Sequence, residues 1–370
     1  MRQTIKFLIA AMLFILAVGV IYAADTKVVN VLCYHRFEPK NGKDAFAITP
    51  ETFRKQLQYL KDNGYNVITV KTFLDYIDGK GEIPDKAVLL TIDDGYKNIY
   101  TKAFPVIQEF GYKPVLYIYQ VFSGKNALNP DEVREMMKAG FAIGCHSNTH
   151  TLMPGKKRDE FADDKAYIKW LESEIVEPKA YLEKLYGVPV DTYAYPYGAY
   201  NTPMLDIIKK AGYKAAFSVV ASWNTKDTNR FAFKRTMILQ GMSMKQFAEI
   251  LEKKPIMVEN TYPDDGEITQ DAKPVLKATL VDDSELNTAT IKFKAAGDIL
   301  DASVYDSKTK TLTYACDKPL KKGIYGRYVT AQGKDGKSKY EYAWLFIEGK
   351  PVDKNAIEEE TKGITGEVKK

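Results

Sequence analysis

Four times between residues 50 and 220, an amphipathic stretch ends in a glycine and an aromatic residue and then enters an apolar run. The segments are KDNGYNVITV at 61–70, EFGYKPVLYIY at 109–119, KAGFAIGC at 138–145 and KAGYKAAFSVV at 210–220. Gly64, Gly111, Gly140 and Gly212 suit the left-handed position that ends a helix, where a side chain is strained. Tyr65, Tyr112, Phe141 and Tyr213 then start strands. Upstream, Phe53, Leu57 and Leu60 share one helical face, as do Phe104, Ile107 and Phe110. Asn129-Pro130-Asp131-Glu132 combines a helix cap, a first-turn proline and a capping-box acid. Ala87–Ile92 and Val115–Tyr119 are almost continuously apolar, as strands buried on both faces must be, hence parallel and covered by helices. Residues 25–255 therefore read as α/β, a βα barrel or a near relative of one.

The pattern changes near residue 256. Pro255, Pro263, Asp264, Asp265 and Gly266 predict a linker over 256–270. Beyond it, short alternating runs such as LKATLVD, TATIKFKA and EYAWLFIEG predict a small all-β sandwich over 271–350. The polar residues 351–370 are expected to fray. At the other end, Arg2 and Lys6 flank the start of an uncharged run, Phe7–Ala24, with small residues before Asp25. Residues 1–24 read as a secretory signal or as an uncleaved N-terminal membrane anchor. Either places the body outside the cytoplasm, secreted or held at the outer face of the membrane. Formal net charge is +5, two of it from Arg2 and Lys6, which gives no case for a nucleic-acid partner. Three cysteines, Cys33, Cys145 and Cys316, cannot make a disulfide framework.

The sharpest chemical signal is TIDDG at 91–95, where a buried run ends in two carboxylates and a glycine. Carboxyl ends of parallel strands carry the chemistry of this architecture. Adjacent strand residues point opposite ways, so Asp93 and Asp94 can divide the work, one on a metal and one on a proton. Asp at such a position also serves as a plain helix cap. In CHSNTH at 145–150, His146 and His150 fall on one side in helical or extended geometry. Two imidazoles and a carboxylate make a three-ligand metal set with an open position, and Ser147 and Thr149 can orient it. The third histidine, His35 in VLCYHRF, also follows an apolar run and is a candidate general acid, poised by its near-neutral pKa. In TYAYPYGAYN at 192–201, Pro196 and Gly198 set a sharp turn, and a backbone N–H beside Tyr197 can stabilise an oxyanion. Trp223 is a candidate for stacking on a sugar face, and Trp344 for sandwich core.

Together TIDDG, HSNTH and AYPYG resemble the NodB-type polysaccharide deacetylases, carbohydrate esterase family four, over about 28–255. The resemblance implies a distorted (β/α) barrel and a divalent metal, usually zinc. It implies hydrolysis of N-acetyl groups on a hexosamine polymer. Asp93 resembles the family's catalytic base, and Asp94, His146 and His150 its metal ligands. Tyr197 matches the residue whose N–H holds the oxyanion. Two positions depart from the pattern: Ala194 stands where an arginine normally orients the base, and no histidine follows His150. The secreted poly-β-1,6-N-acetylglucosamine deacetylase branch shares both departures and uses an early Tyr-His, here Tyr34-His35, as the acid. Arg235, in FAFKRTMIL near a late strand, is the candidate to orient Asp93. The implied partner is an N-acetylated polysaccharide, most closely poly-β-1,6-N-acetylglucosamine. Peptidoglycan or chitooligosaccharide deacetylation and an inactive carbohydrate-binding surface protein are the alternatives.

Overall fold

In a computed structural model, which describes residues 27–364 apart from 41 and 296, eight parallel strands curl into one sheet. The expected signal or anchor at 1–24 lies outside the described residues. The strands are β1 (Val29–Tyr34), β2 (Asn66–Ile68), β3 (Ala87–Ile92), β4 (Val115–Ile118), β5 (Ala142–Cys145), β6 (Thr192–Ala194), β7 (Ala215–Phe217) and β8 (Thr236–Met237). Their spatial order is β8-β1-β3-β4-β5-β6-β7, with β2 paired to the first half of β3. The barrel is drawn closed by the segment entering β8. Phe233 bonds to Ala216 of β7, and three residues later Thr236 pairs with Leu32 of β1.

Burial explains the near-continuous apolar strands. Every residue of β1, β3 and β4 is buried. Leu32, Tyr34, Leu90, Ile92 and Leu116 meet the surrounding helices in one large core. Val29, Val31, Leu89, Val115, Tyr117 and Phe217 fill a second core with Phe233. The four expected glycine caps all have positive φ: Gly64 at 70°, Gly111 at 67°, Gly140 at 101° and Gly212 at 76°. The helix Pro130–Lys138 starts with the full Asn129/Glu132 capping box.

The C-terminal region contains a six-stranded and a four-stranded sheet enclosing a core of Leu276, Leu280, Phe293, Leu312, Val329 and Trp344. Two expectations need correction. Residues 256–270 are no linker: Val258–Tyr262 is a strand of the four-stranded sheet, and Ile268–Thr269 pairs with the strand Lys339–Glu348. Pro263, Asp264, Asp265 and Gly266 sit at the turn between these strands, and Pro255 pairs with Glu341 at the edge of the six-stranded sheet. Nor do residues 351–364 simply fray. The helix Lys354–Glu360 buries Ala356 and Ile357 and packs on the long helix Asp164–Tyr186. The strand Lys339–Glu348 is buried on both faces. Trp344 and Phe346 face the sandwich core, whereas Ala343, Leu345 and Ile347 join the core around the barrel. Barrel and sandwich thus share packing through one strand.

Candidate active site at the barrel mouth

The strands deliver their following residues to one rim. Asp93 continues the β3 ladder through an N–H bond to Tyr34, and His146 continues β5 through a bond to Ile118. His35 follows β1, Tyr195–Tyr197 follow β6, and Arg235 immediately precedes β8. A cavity of about 340 Å³ is lined by His35, Asp93, Asp94, His146, His150 and Tyr197. The structure thus brings the predicted catalytic and metal-binding residues to one place, with Arg235 just beneath.

Asp93 is buried and held from below. Arg235 Nη1 donates to its Oδ1 and Nη2 to its Oδ2, each at 2.7 Å. Arg235, fully buried, also donates from Nε to the Ser218 carbonyl at 2.8 Å and from Nη1 to Thr91 Oγ1 at 3.2 Å. The Cys33 thiol donates to Asp93 Oδ2 at 3.4 Å. Burial alone would raise the Asp93 pKa, but the attraction of Arg235, joined by that of the His146 and His35 imidazoles, outweighs it and holds the carboxyl below its usual range. Arg235 comes from a different strand than the position occupied by Ala194, yet its fork reaches the same carboxylate.

Asp94, His146 and His150 converge beside it. Asp94 Oδ1 lies 3.4 Å from His146 Nε2 and 3.2 Å from His150 Nε2. Their donor atoms fall within 4.8 Å of one another. His146 Nδ1 is 2.7 Å from the Ala194 carbonyl, which can only accept, so Nδ1 carries the proton and Nε2 offers its lone pair. Asp94 Oδ1 is buried without a hydrogen-bond partner among the described residues. A buried carboxylate oxygen facing imidazole nitrogens without hydrogen bonds is a donor set that fits a cation. The spacing agrees: ligands about 2.1 Å from an ion at tetrahedral angles lie about 3.4 Å apart. Burial works against the Asp94 charge, but the two imidazoles hold its carboxyl well below the usual range. Burial likewise disfavours charge on His146, yet the Asp93 and Asp94 carboxylates raise its pKa. Cys33, His35 and Asp93 also cluster, but both Asp93 oxygens are taken by Arg235, which leaves that group a poor cage.

The convergence of the histidines does not come from helical or extended spacing, as expected. Ser147 and His150 take left-handed φ values of 76° and 57°, and Asp94 and Tyr197 take 75° and 58°. Four of the six non-glycine residues with positive φ among the described residues therefore stand at this site, where the surrounding structure holds conformations costing about 1–3 kcal/mol each. Ser147 Oγ accepts from the His150 N–H at 2.9 Å. Glu174, buried in the helix Asp164–Tyr186, accepts from the N–H groups of Asn148 and Thr149 and from the Thr149 hydroxyl, at 2.7–3.2 Å. It staples the histidine loop to the helix. Sequence reading missed Glu174, although an acid between the buried Leu171 and Ile175 was its signal.

The PYG turn leaves the Tyr197 N–H without a partner among the described residues and puts its ring, 61% exposed, 4.9 Å from that of His150. A Cβ on Gly198 would meet Val219 Cγ2 at 2.2 Å and Val219 N at 2.3 Å, so only glycine fits this turn. His35 lies within 4.8 Å of Asp93, and its buried Nδ1 has no hydrogen-bond partner. Burial lowers its pKa despite the nearby carboxylates, so in the free protein it is neutral more readily than an ordinary histidine. Trp223 requires correction as a site residue. It adjoins Asn224, whose backbone pairs with Val29 at the start of β1, at the opposite end of the barrel.

Residues 80–216 match the family model described as polysaccharide deacetylase. The YxkH protein of Bacillus subtilis is 25% identical over 223 residues, covering 60% of this chain and 75% of its own. The poly-beta-1,6-N-acetyl-D-glucosamine N-deacetylase of Staphylococcus aureus is 28% identical over 199 residues, covering 52% of this chain and 68% of its own. Among solved structures, the Streptococcus pyogenes deacetylase PplD in complex with acetate aligns with a TM-score of 0.55. It covers 62% of this chain and all of its own at 22% identity, a likeness of fold.

Proposed function

We propose that this chain, whose residues 80–216 match the polysaccharide deacetylase model, removes N-acetyl groups from poly-β-1,6-N-acetylglucosamine outside the cytoplasm, with zinc held by Asp94, His146 and His150. The observation that carries this reading is the convergence in one cavity of an Arg-clamped carboxylate, a three-donor cation set and a half-buried imidazole. Zinc fits the mixed nitrogen and oxygen donors and their tetrahedral spacing. The choice of polymer rests on Tyr34-His35 in place of a later histidine, on Arg235 in place of Ala194, and on the Staphylococcus aureus relative.

A divalent cation, when bound, supplies Lewis acidity that polarises the acetamide carbonyl and eases deprotonation of the attacking water. The protein does the rest. Asp93, fixed by the Arg235 fork, accepts the proton of the water as its oxygen bonds to the carbonyl carbon. The Tyr197 N–H donates to the developing oxyanion, an interaction of the kind worth about 10²–10³ in rate. His35 supplies a proton to the nitrogen as the C–N bond breaks, leaving acetate and a free amine. A lowered pKa makes the His35 imidazolium a stronger acid, and Asp93 is near enough to recharge it.

The test is acetate release from poly-β-1,6-N-acetylglucosamine, peptidoglycan and chitooligosaccharides, before and after chelation and zinc restoration. Release from the first polymer, lost on chelation and absent in Asp93→Asn while metal content stays unchanged, is the expected outcome. Faster release from either of the others reassigns the substrate. Retained release in Asp93→Asn removes the base.

A further inference from the structure

One carboxylate at the barrel–sandwich junction bonds to two chain segments that serve the catalytic mouth. Asp265 lies in the turn between the strands Val258–Tyr262 and Ile268–Thr269, and its side chain is 20% exposed. The sandwich holds that turn in place. The Leu345 N–H donates to Asp265 Oδ1 at 3.1 Å, and the Gly266 N–H donates to the Leu345 carbonyl at 2.8 Å. The Trp344 indole N–H donates to the Pro263 carbonyl at 3.0 Å.

Towards the barrel the same carboxylate meets Lys234 and Tyr200. Lys234, 3% exposed, donates from Nζ to Asp265 Oδ2 at 2.5 Å and to the Tyr200 hydroxyl at 3.0 Å, and that hydroxyl donates to Asp265 Oδ1. Lys234 directly precedes Arg235. Successive residues of an extended segment point to opposite sides. Here Lys234 reaches out to the sandwich while Arg235 reaches in beneath Asp93. The Lys234 backbone is pinned as well, since the Asn224 side chain accepts from its N–H at 2.7 Å and donates to its carbonyl at 2.8 Å. Tyr200 follows Tyr197 by three residues, on the chain leaving the PYG turn. Asp265, Lys234 and Tyr200 all lie outside the lining of the catalytic cavity. A buried ion pair gives little net stability over an apolar contact of similar volume, and what such a pair can supply is a defined geometry.

We propose that Asp265 is a positioning residue for the reaction at the mouth: through its ion pair with Lys234 it fixes the backbone from which Arg235 grips Asp93. The kinetic side of the proposal rests on the deacetylase reading. The Arg235 fork makes two bonds of 2.7 Å to one carboxylate, a planar match that tolerates little displacement of the backbone beneath it. A misplacement of about 1 Å caused far from the chemistry can cost about 10²-fold in rate. Asp265 touches neither the cavity nor the cation set, so its effect falls on turnover rather than on substrate binding. The sandwich then has a part in catalysis. Its strand Lys339–Glu348 holds Asp265, Asp265 holds Lys234, and the next residue carries the clamp on the base.

Two measurements test this. The first reads kcat and KM for acetate release at saturating zinc, per folded molecule, in Asp265→Asn and in Asp265→Asn/Lys234→Met. In both, kcat should fall about tenfold with KM and zinc content unchanged. The double variant leaves no stranded buried charge, so it should regain the Tm lost in the single one. Parental kcat in either folded variant shows that the pair serves stability alone and overturns the proposal. The second reads hydrogen exchange without substrate. Peptides spanning 232–238 should lose protection in Asp265→Asn while peptides spanning 145–150 keep theirs. Unchanged exchange at 232–238, or a loss spread evenly over the barrel, overturns the proposal. The double variant carries both readings where Asp265→Asn does not fold. If the parent chain releases no acetate from any of the polymers, the deacetylase reading falls, and a selective loss of protection at 232–238 still supports the coupling of Asp265 to Arg235.

Discussion

Replacing Arg235 by methionine isolates what its guanidinium does for Asp93. Both groups are essentially without solvent contact, and the pair is joined by two hydrogen bonds of 2.7 Å. Hydrogen bonds to charged groups contribute about 1.5–3 kcal/mol each. Breaking a buried pair by removing one partner costs about 3–5 kcal/mol, because the remaining charge is stranded. The variant should lose stability of that order by urea denaturation at neutral pH. Asp93 can limit the loss by taking up a proton. In the parent chain burial opposes its charge, and Arg235 with the His146 and His35 imidazoles outweighs burial, so its folded pKa lies below the unfolded one. That contribution to stability is present above the unfolded carboxylate pKa and fades as pH falls through the folded value. Without Arg235 burial prevails, the folded pKa rises above the unfolded one, and the sign reverses: stability then falls as pH rises through that interval. One pKa unit corresponds to about 1.36 kcal/mol, so losing about 3 kcal/mol of attraction moves the carboxyl by about two units. The acid limb of kcat/KM for acetate release, measured at saturating zinc, should move up correspondingly. The double variant Asp93→Asn/Arg235→Met should be more stable than the two single costs added together. A methionine variant with parental urea midpoints from pH 4 to 7 and an unmoved acid limb would show that Arg235 does not govern the base.

Further outcomes follow from the same geometry. His35→Gln should cost about 10²–10⁴ in rate and abolish the basic limb of the kcat/KM profile. In the parent that limb should lie below the ordinary histidine value, because burial lowers the His35 pKa and the acid form is lost as pH rises through it. Glu174→Ala strands the three donors it satisfies in the histidine loop. It should weaken zinc retention about 10–100-fold in competition with a chromogenic chelator, while Asp93 and its clamp stay intact. Gly198→Ala should abolish most acetate release and lower Tm, since the new Cβ would overlap both the side chain and backbone of Val219; parental activity there would mean the turn plays no part in catalysis.

Much of this was legible from residue order because it followed from local physics. The glycine–aromatic junctions announced the βα units, and TIDDG, CHSNTH and the early histidine sat where parallel strands end. The clamp was harder to see. Arg235 is 142 residues from Asp93 and reaches it only because the segment before β8 closes the barrel. Left-handed geometry at Ser147 and His150 is likewise set by the loop's packing on Glu174, and no side-chain spacing encodes it. The prolines and acids at 255–266 read as a linker because turn residues look alike whether they join domains or strands. Trp223 was noticed as an aromatic after a strand, but sequence does not say which end of a barrel such a residue occupies.

The strand Lys339–Glu348 contributes Ala343, Leu345 and Ile347 to one core and Trp344 and Phe346 to another. Heat or denaturant should therefore melt the two halves as a single cooperative body. A chain ending at residue 255 would uncover a greasy flank on the catalytic half and invite clumping. The C-terminal half of this chain is consequently no cassette to be exchanged freely, and any substitute would have to bring its own strand with apolar residues on both sides.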